Sequence, residues 1–134
     1  MSNDAQKTFT RKGPTQEEFV LIRDYILLPY MLTMLQRSID DIEHGSNLMK
    51  KLYLSAGRTV MDKISADMLE LRRQLKQRNI KITGEEHVEM VVYHHIVCRG
   101  YEERFGMIRD VMRSEISIRL SQYVKEIASR LAAK

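Results

Sequence analysis

The side chains best suited to chemistry cluster at His94, His95 and Cys98. On a helix, His94 and Cys98 would sit one turn apart and could share a soft metal. On a strand they would share a face roughly 13 Å apart, too far for one ion. A metal site needs three or four ligands, and only His87 and Glu89 offer help nearby. Cys98 as a nucleophile would need a lowered pKa and an oriented base, which His94 or His95 could supply, with Arg99 as a neighbouring cation. No family-type Cys signature accompanies it, and a small buried Cys is common. The six glycines are scattered, so no loop cradles a phosphate. The pairs Glu17-Glu18, Asp40-Asp41, Glu85-Glu86 and Glu102-Glu103 read as caps or solvated faces rather than as an acid/base couple. The expectation is a non-enzymatic protein with no catalytic residue, no cofactor and no metal.

Cations form the other constellation. Arg72, Arg73, Lys76, Arg78 and Lys81 fall within ten residues, and Arg104, Arg109, Arg113 and Arg119 follow on a later segment. Stripes of this kind can hold phosphates, which makes a small basic DNA- or RNA-binding regulator one reading. Two facts favour another. Cations at a helix C-terminus are stabilised by its unsatisfied carbonyls without any ligand. The helices also look too long for a compact recognition unit. Net charge is +4 overall, but residues 15–45 carry −4 and residues 46–81 carry +6. An acidic first helical region folded back on a basic second helix would satisfy both fields internally. The favoured function is therefore an interaction or regulatory protein, working through a protein partner or as a homo-oligomer. Nucleic acid is the alternative.

At 134 residues, with 43% apolar and 30% charged side chains, the chain can build one core. We expect a flexible tail over 1–14 and one α-rich domain over 15–134. The longest apolar stretch, Tyr25–Met34, is too short to cross a bilayer, and Met1–Gln16 lacks the apolar segment of a signal peptide. A single Cys suits a reducing cytosol, so a cytoplasmic location with no membrane contact is expected. Most of the nine Met lie in apolar patterns and suit core filling more than an adaptable groove.

The elements that must position these residues follow from hydrophobic period. Thr15 and Glu18 form a capping-box pattern at a helix start, with Phe19, Ile22 and Ile26 on one face. Pro29 either kinks that helix or starts a second one. Gly45 suits a left-handed cap, and Ser46 or Asn47 can cap the next helix, whose face is Leu52, Val60, Ile64, Met68, Leu71 and Leu75. Asn79 is a plausible stop, since Asn tolerates positive φ. Ile80–Thr83 and Val88–Arg99 then read as a β-hairpin turning at Thr83-Gly84, with a helix over Val88–Arg99 as the alternative. From Glu102 the helical repeat returns and runs to Leu131. The predicted fold is α+β, predominantly α: a helical hairpin, a small β-hairpin and a long C-terminal helix. An all-α bundle is the alternative.

Arg99-Gly100-Tyr101 marks the expected junction between strand and last helix. Gly100 permits a backbone closed to other residues, and Tyr101 suits a half-buried corner. Arg99 and Arg104 would flank the helix start, where amide groups favour anions. A plain structural corner is the commoner arrangement, and on either reading Arg99→Ala should leave stability nearly unchanged. Leu28-Pro29, Asn79-Ile80-Lys81-Ile82 and Cys98-Arg99-Gly100-Tyr101-Glu102-Glu103 together resemble the YhjD-like family of small bacterial proteins over roughly residues 20–130. That resemblance implies a bacterial or phage origin and a helix–helix–hairpin–helix order. It implies no catalytic residue.

Overall fold

The computed structural model describes residues 13–132, which form an α+β fold that is mostly helical. Helices α1 (Gln16–His44) and α2 (Lys50–Gln77) make an antiparallel hairpin. Strands β1 (Ile80–Val88), β2 (Val91–Cys98) and β3 (Tyr101–Ile108) follow as an antiparallel meander, and α3 (Arg109–Ala132) closes the chain. The expected tail lies outside the described residues except at Gly13 and Pro14. Those two are held, and Pro14 is buried.

α1 begins where the pattern places it. Thr15 Oγ1 accepts from Glu18 N at 3.2 Å while Thr15 N donates to Glu18 Oε1 at 3.0 Å. Pro29 lies inside one continuous helix, and Gly45 caps it in an extended conformation, φ −87°, instead of a left-handed one. α2 starts without a side-chain cap on its own N-cap residue, Met49; Asn47 Oδ1 instead accepts from Met49 N at 2.7 Å. Gly57, costly in a helix interior, has its reason in packing: a Cβ there would stand 3.0 Å from Ile39 Cγ1 of α1. Asn79 does stop α2, at φ +57°.

The sheet differs from the expected hairpin in three ways. Thr83-Gly84 is not a turn but a bulge within β1, between Ile82 and Gly84. The turn comes later, at Glu89-Met90. A third strand, Tyr101–Ile108, occupies what reads as the first two turns of the last helix. Phe105 and Ile108 fit a 3.6-residue repeat with Met112, but Phe105 and Met107 fit a two-residue repeat equally well. Pairing with β2 along its whole length decides between them.

One face of the sheet packs on the helices. Val92, His94, Ile96 and Cys98 alternate inward along β2, as their spacing predicts, and Met107 joins them from β3. They meet Ile22, Ile26, Leu27 and Met31 of α1, Val60, Ile64 and Leu75 of α2, and Met112, Ile116 and Ile127 of α3. Each buried Val, Leu, Ile or Met among them contributes about 1.5–3 kcal/mol through burial. On the outer face, Gly106 lies under the Tyr93 ring, where a Cβ would meet Cε1 at 2.7 Å. Leu27 and Leu28, outside the expected apolar stripe, are covered by the fold; Leu69, Ile118 and Val124 remain exposed.

The β2–β3 turn holds Arg99 at φ +50° and Gly100 at φ +91°, the pattern of a two-residue type I′ hairpin. A Cβ on Gly100 would touch nothing within 4 Å, so the backbone alone restricts the position. Gly100→Ala should therefore destabilise the fold by about 1–2 kcal/mol in urea titration, with no change in the denaturant slope.

Candidate functional site

Seven of the cations singled out in the sequence, Arg72, Arg73, Lys76, Arg78, Lys81, Arg99 and Arg104, separate into two classes. Arg99 is at the tip of the β2–β3 turn, not at a helix start, because α3 begins at Arg109. Its guanidinium grips Glu18 with two hydrogen bonds, Nη1 to Oε2 at 3.0 Å and Nη2 to Oε1 at 2.9 Å. Nη1 also donates to the Arg78 carbonyl at 3.0 Å, and Nη2 to the Gly13 carbonyl at 3.3 Å. Arg78 adds Nη1 to Glu18 Oε2 at 3.5 Å and reaches Glu17 at 3.2 Å. Glu18 is only 4% exposed. Its hydrogen bonds to Arg99, with further help from Thr15 N and Arg78, outweigh burial and pull its pKa down to about 2.

Arg78 and Arg99 are therefore engaged inside the molecule, and the expectation that Arg99→Ala leaves stability unchanged is withdrawn: that change would strand a buried carboxylate. Gly100 and Tyr101 form the corner between two strands instead of between strand and helix, with Tyr101 about half exposed. Arg104 lies on the outer face of the sheet, its guanidinium 4.3 Å above the Tyr93 ring and 3.7 Å from Glu86. It is distant in register from α3's first turn, so no anion site forms there with Arg99. Arg73 folds back along α2 onto Glu70, at 2.6 and 3.2 Å.

Arg72, Lys76 and Lys81 remain, with no ion-pair partner among the described residues. All three line one groove of about 690 Å³ between the C-terminal end of α2 and the open edge of β1. Its apolar lining comes from Tyr25, Leu75, Ile80 and Ile82. The sequence brings the cations together in number, but not the groove, which exists because Asn79 turns the chain back along α2.

A second cluster escaped the sequence reading. Glu85 Oε1 accepts from the Tyr30 hydroxyl at 2.5 Å and lies 3.2 Å from His94 Nε2, while Glu85 Oε2 pairs with His87 Nε2 at 2.8 Å. The bulge in β1 is responsible. Ile80 and Ile82 face inward; without the bulge, alternation would send Glu85 outward. The added residue inverts the parity and sets Glu85 opposite His94. The Tyr30 and His87 hydrogen bonds lower the Glu85 pKa, and burial with the adjoining carboxylate raises Tyr30 to about 12. Burial lowers the His94 pKa more than Glu85 raises it, so the imidazole is neutral at pH 7. Among the described residues no group of three His, Cys, Asp or Glu is placed to hold a metal ion. Cys98 is fully buried and its pKa is raised by that burial, the reverse of what a nucleophile needs.

Fold and site define a small α+β protein with a cationic groove between its second helix and a sheet edge. Comparison with known proteins places it further. Residues 13–128 match the model of the family described as YhjD protein, and the chain belongs to that family. It is similar to the uncharacterized protein YhjD of Bacillus subtilis (strain 168), with 27% identity over 109 residues that span 81% of this chain and 91% of that protein. No solved structure matches.

The sign of the Glu18 shift sets a pH prediction. A carboxylate whose folded pKa lies below its unfolded value stabilises the fold above the unfolded value, and that stability is lost as pH falls through the folded one. Stability should decline from about pH 4.5 towards pH 2, the range between the ordinary value and the folded one. In Glu18→Gln, the urea midpoint should be lower at neutral pH, and its fall between about pH 4.5 and pH 2 should be distinctly flatter.

Proposed function

We propose that this chain is a non-catalytic binding protein of the cytoplasm, whose groove takes an acidic, partly apolar segment of a partner protein. The observation that carries the reading is the combination of Arg72, Lys76 and Lys81 with the apolar lining of Tyr25, Leu75, Ile80 and Ile82. Carboxylates on the partner would meet cations that the fold leaves unpaired, and its apolar residues would pack on the half-buried Tyr25 and Ile82 beside the edge strand. A polyanion without apolar groups would use only half of that surface. Among the described residues, no helix is long and apolar enough to cross a membrane.

A separate observation favours contact between copies of the chain. Leu48, Met49, Leu52 and Tyr53 are all exposed at the tip of the α1–α2 hairpin, and Leu48 is fully so. Light scattering at high micromolar concentration tests it: a strictly monomeric species removes self-association and leaves the groove.

Fluorescence polarisation with a labelled peptide alternating Glu with Leu or Ile tests the groove directly. Binding in the micromolar range is expected, weakening at least tenfold in Arg72→Glu/Lys76→Glu, while a peptide with Lys in place of Glu stays unbound. Tight retardation of mixed DNA or RNA, with a salt slope that falls when Arg72 and Lys76 are reversed, would replace the protein partner with nucleic acid.

A further inference from the structure

Ile80, Lys81, Ile82 and Thr83 line the cationic groove in an unbroken run. A sheet face presents alternate residues, so a run of neighbours places the groove along the edge of the strand. We infer that the partner segment binds there as a short extended strand, added to the open edge of β1 as a fourth strand of the sheet. This assignment rests on the groove's taking an acidic, partly apolar segment, and it adds the conformation in which that segment is held.

Among the described residues β1 pairs with β2 alone, which leaves its other side an edge. In an antiparallel ladder, residues alternate between exchanging both main-chain hydrogen bonds with the neighbouring strand and turning both away from it. The Arg99 amide donates to the Asn79 carbonyl at 2.9 Å, which fixes the phase of that alternation. Two residues further along the register, Lys81 exchanges its bonds with Val97. The amides and carbonyls of Ile80 and Ile82 therefore turn away from β2. Among the described residues, no main-chain group outside the sheet pairs with them. Ile80 is nearly covered, but Ile82 is half-buried and both Lys81 and Thr83 are exposed, so the edge is reachable from Lys81 onward. An unpaired, reachable edge is a template for a further strand.

Side-chain directions suit the same partner. Ile80 and Ile82 point towards the helices, and Lys81 points away from them. A carboxylate on the added strand, level with Lys81, meets its ammonium across the strand pair. Residues of the other parity turn to the helix side, where Tyr25 and Ile82 are half-buried and Arg72 and Lys76 line the groove. The bulge between Ile82 and Gly84 ends the regular edge, and Glu85 and Glu86 beyond it repel an acidic chain. The added strand is thereby confined to the length of Ile80–Thr83. The other edge of the sheet, β3, carries Glu102 and Glu103, and its Arg104 is engaged by Tyr93 and Glu86. Charge thus directs an acidic strand to β1 and away from β3. A helix laid in the groove would leave the Ile82 amide and carbonyl without a protein partner, whereas a strand meets both.

The test uses the full chain and the labelled peptide alternating Glu with Leu: unmodified, N-methylated at every Leu, or N-methylated at every Glu. In an extended strand, residues of one parity turn their amides to β1 and the rest turn theirs away. One methylated form should therefore lose about tenfold or more in affinity by fluorescence polarisation, while the other stays within about threefold of the unmodified peptide. Amide exchange of the ¹⁵N-labelled protein gives a second readout. Saturating unmodified peptide should slow the Ile82 amide about tenfold or more, well beyond any change at Lys81, whose amide is already bonded to Val97. Methylated forms that bind alike, whether both tightly or both weakly, or an Ile82 amide whose exchange the peptide does not alter, would overturn the added strand. The acidic-segment reading would then still stand if the unmodified peptide binds and weakens in Arg72→Glu/Lys76→Glu. No binding of the unmodified peptide would overturn both.

Discussion

A nearly inaccessible carboxylate, Glu18, sits in the first turn of α1, and three otherwise distant parts of the chain converge on it. Thr15 bonds to it within the capping box, Arg78 reaches it from the end of α2, and Arg99 reaches it from the turn between β2 and β3. Desolvating a carboxylate is expensive, and only good geometry offsets the cost. Here the fork of Arg99 meets both carboxylate oxygens while its Nη1 and Nη2 also donate to the Arg78 and Gly13 carbonyls. The pair need not add net stability over a well-packed apolar substitute. What it does is fix position: the sheet can dock on the helices in one register without leaving a buried charge unpaired. The Arg99 amide strengthens that docking by donating to the Asn79 carbonyl at 2.9 Å.

From that anchor the rest of the molecule follows in order. The Asn79 stop returns the chain along α2 and sets β1 beside it, which creates the cationic groove. A single bulge then shifts the parity of β1, so its first half presents Ile80 and Ile82 inward and its second half presents Glu85 and His87. One inserted residue thereby exchanges an apolar face for a polar one exactly where Tyr30 and His94 await it. At the far end, the Arg109 amide donates to the Met90 carbonyl at 2.8 Å and joins the sheet to α3. Arg119 of α3 pairs with Asp24 of α1 at 2.7 Å.

Much of this was legible in the sequence where local rules act alone. The capping box, the Asn79 stop, the inward face of β2 and the helical hairpin all follow from side-chain period and cap chemistry, which need no distant partner. The resemblance carried by Cys98–Glu103 also agrees with the family the chain belongs to. The parts that escaped depend on pairing. β3 shows few β-branched residues, and Glu102, Glu103 and Arg104 look helical until β2 supplies a ladder. The bulge leaves no mark beyond an ordinary Thr-Gly, which reads as a turn, so the meeting of Glu85 with His94 was invisible. Arg99 looked like a free cation because its partner is 81 residues away. The division of cations into structural and available ones is likewise a property of the fold, since Arg72 and Arg78 are indistinguishable by type.

The most direct test of this account is a double-mutant cycle between Glu18 and Arg99. Urea unfolding of the parent, Glu18→Gln, Arg99→Ala and the combined variant at pH 7 isolates their coupling from the separate effects of each change. If Glu18 is the point on which the helices and sheet depend, the coupling should reach about 2 kcal/mol or more, with the double variant scarcely less stable than the worse single one. A coupling below about 0.5 kcal/mol, in the range of an exposed surface pair, would contradict it.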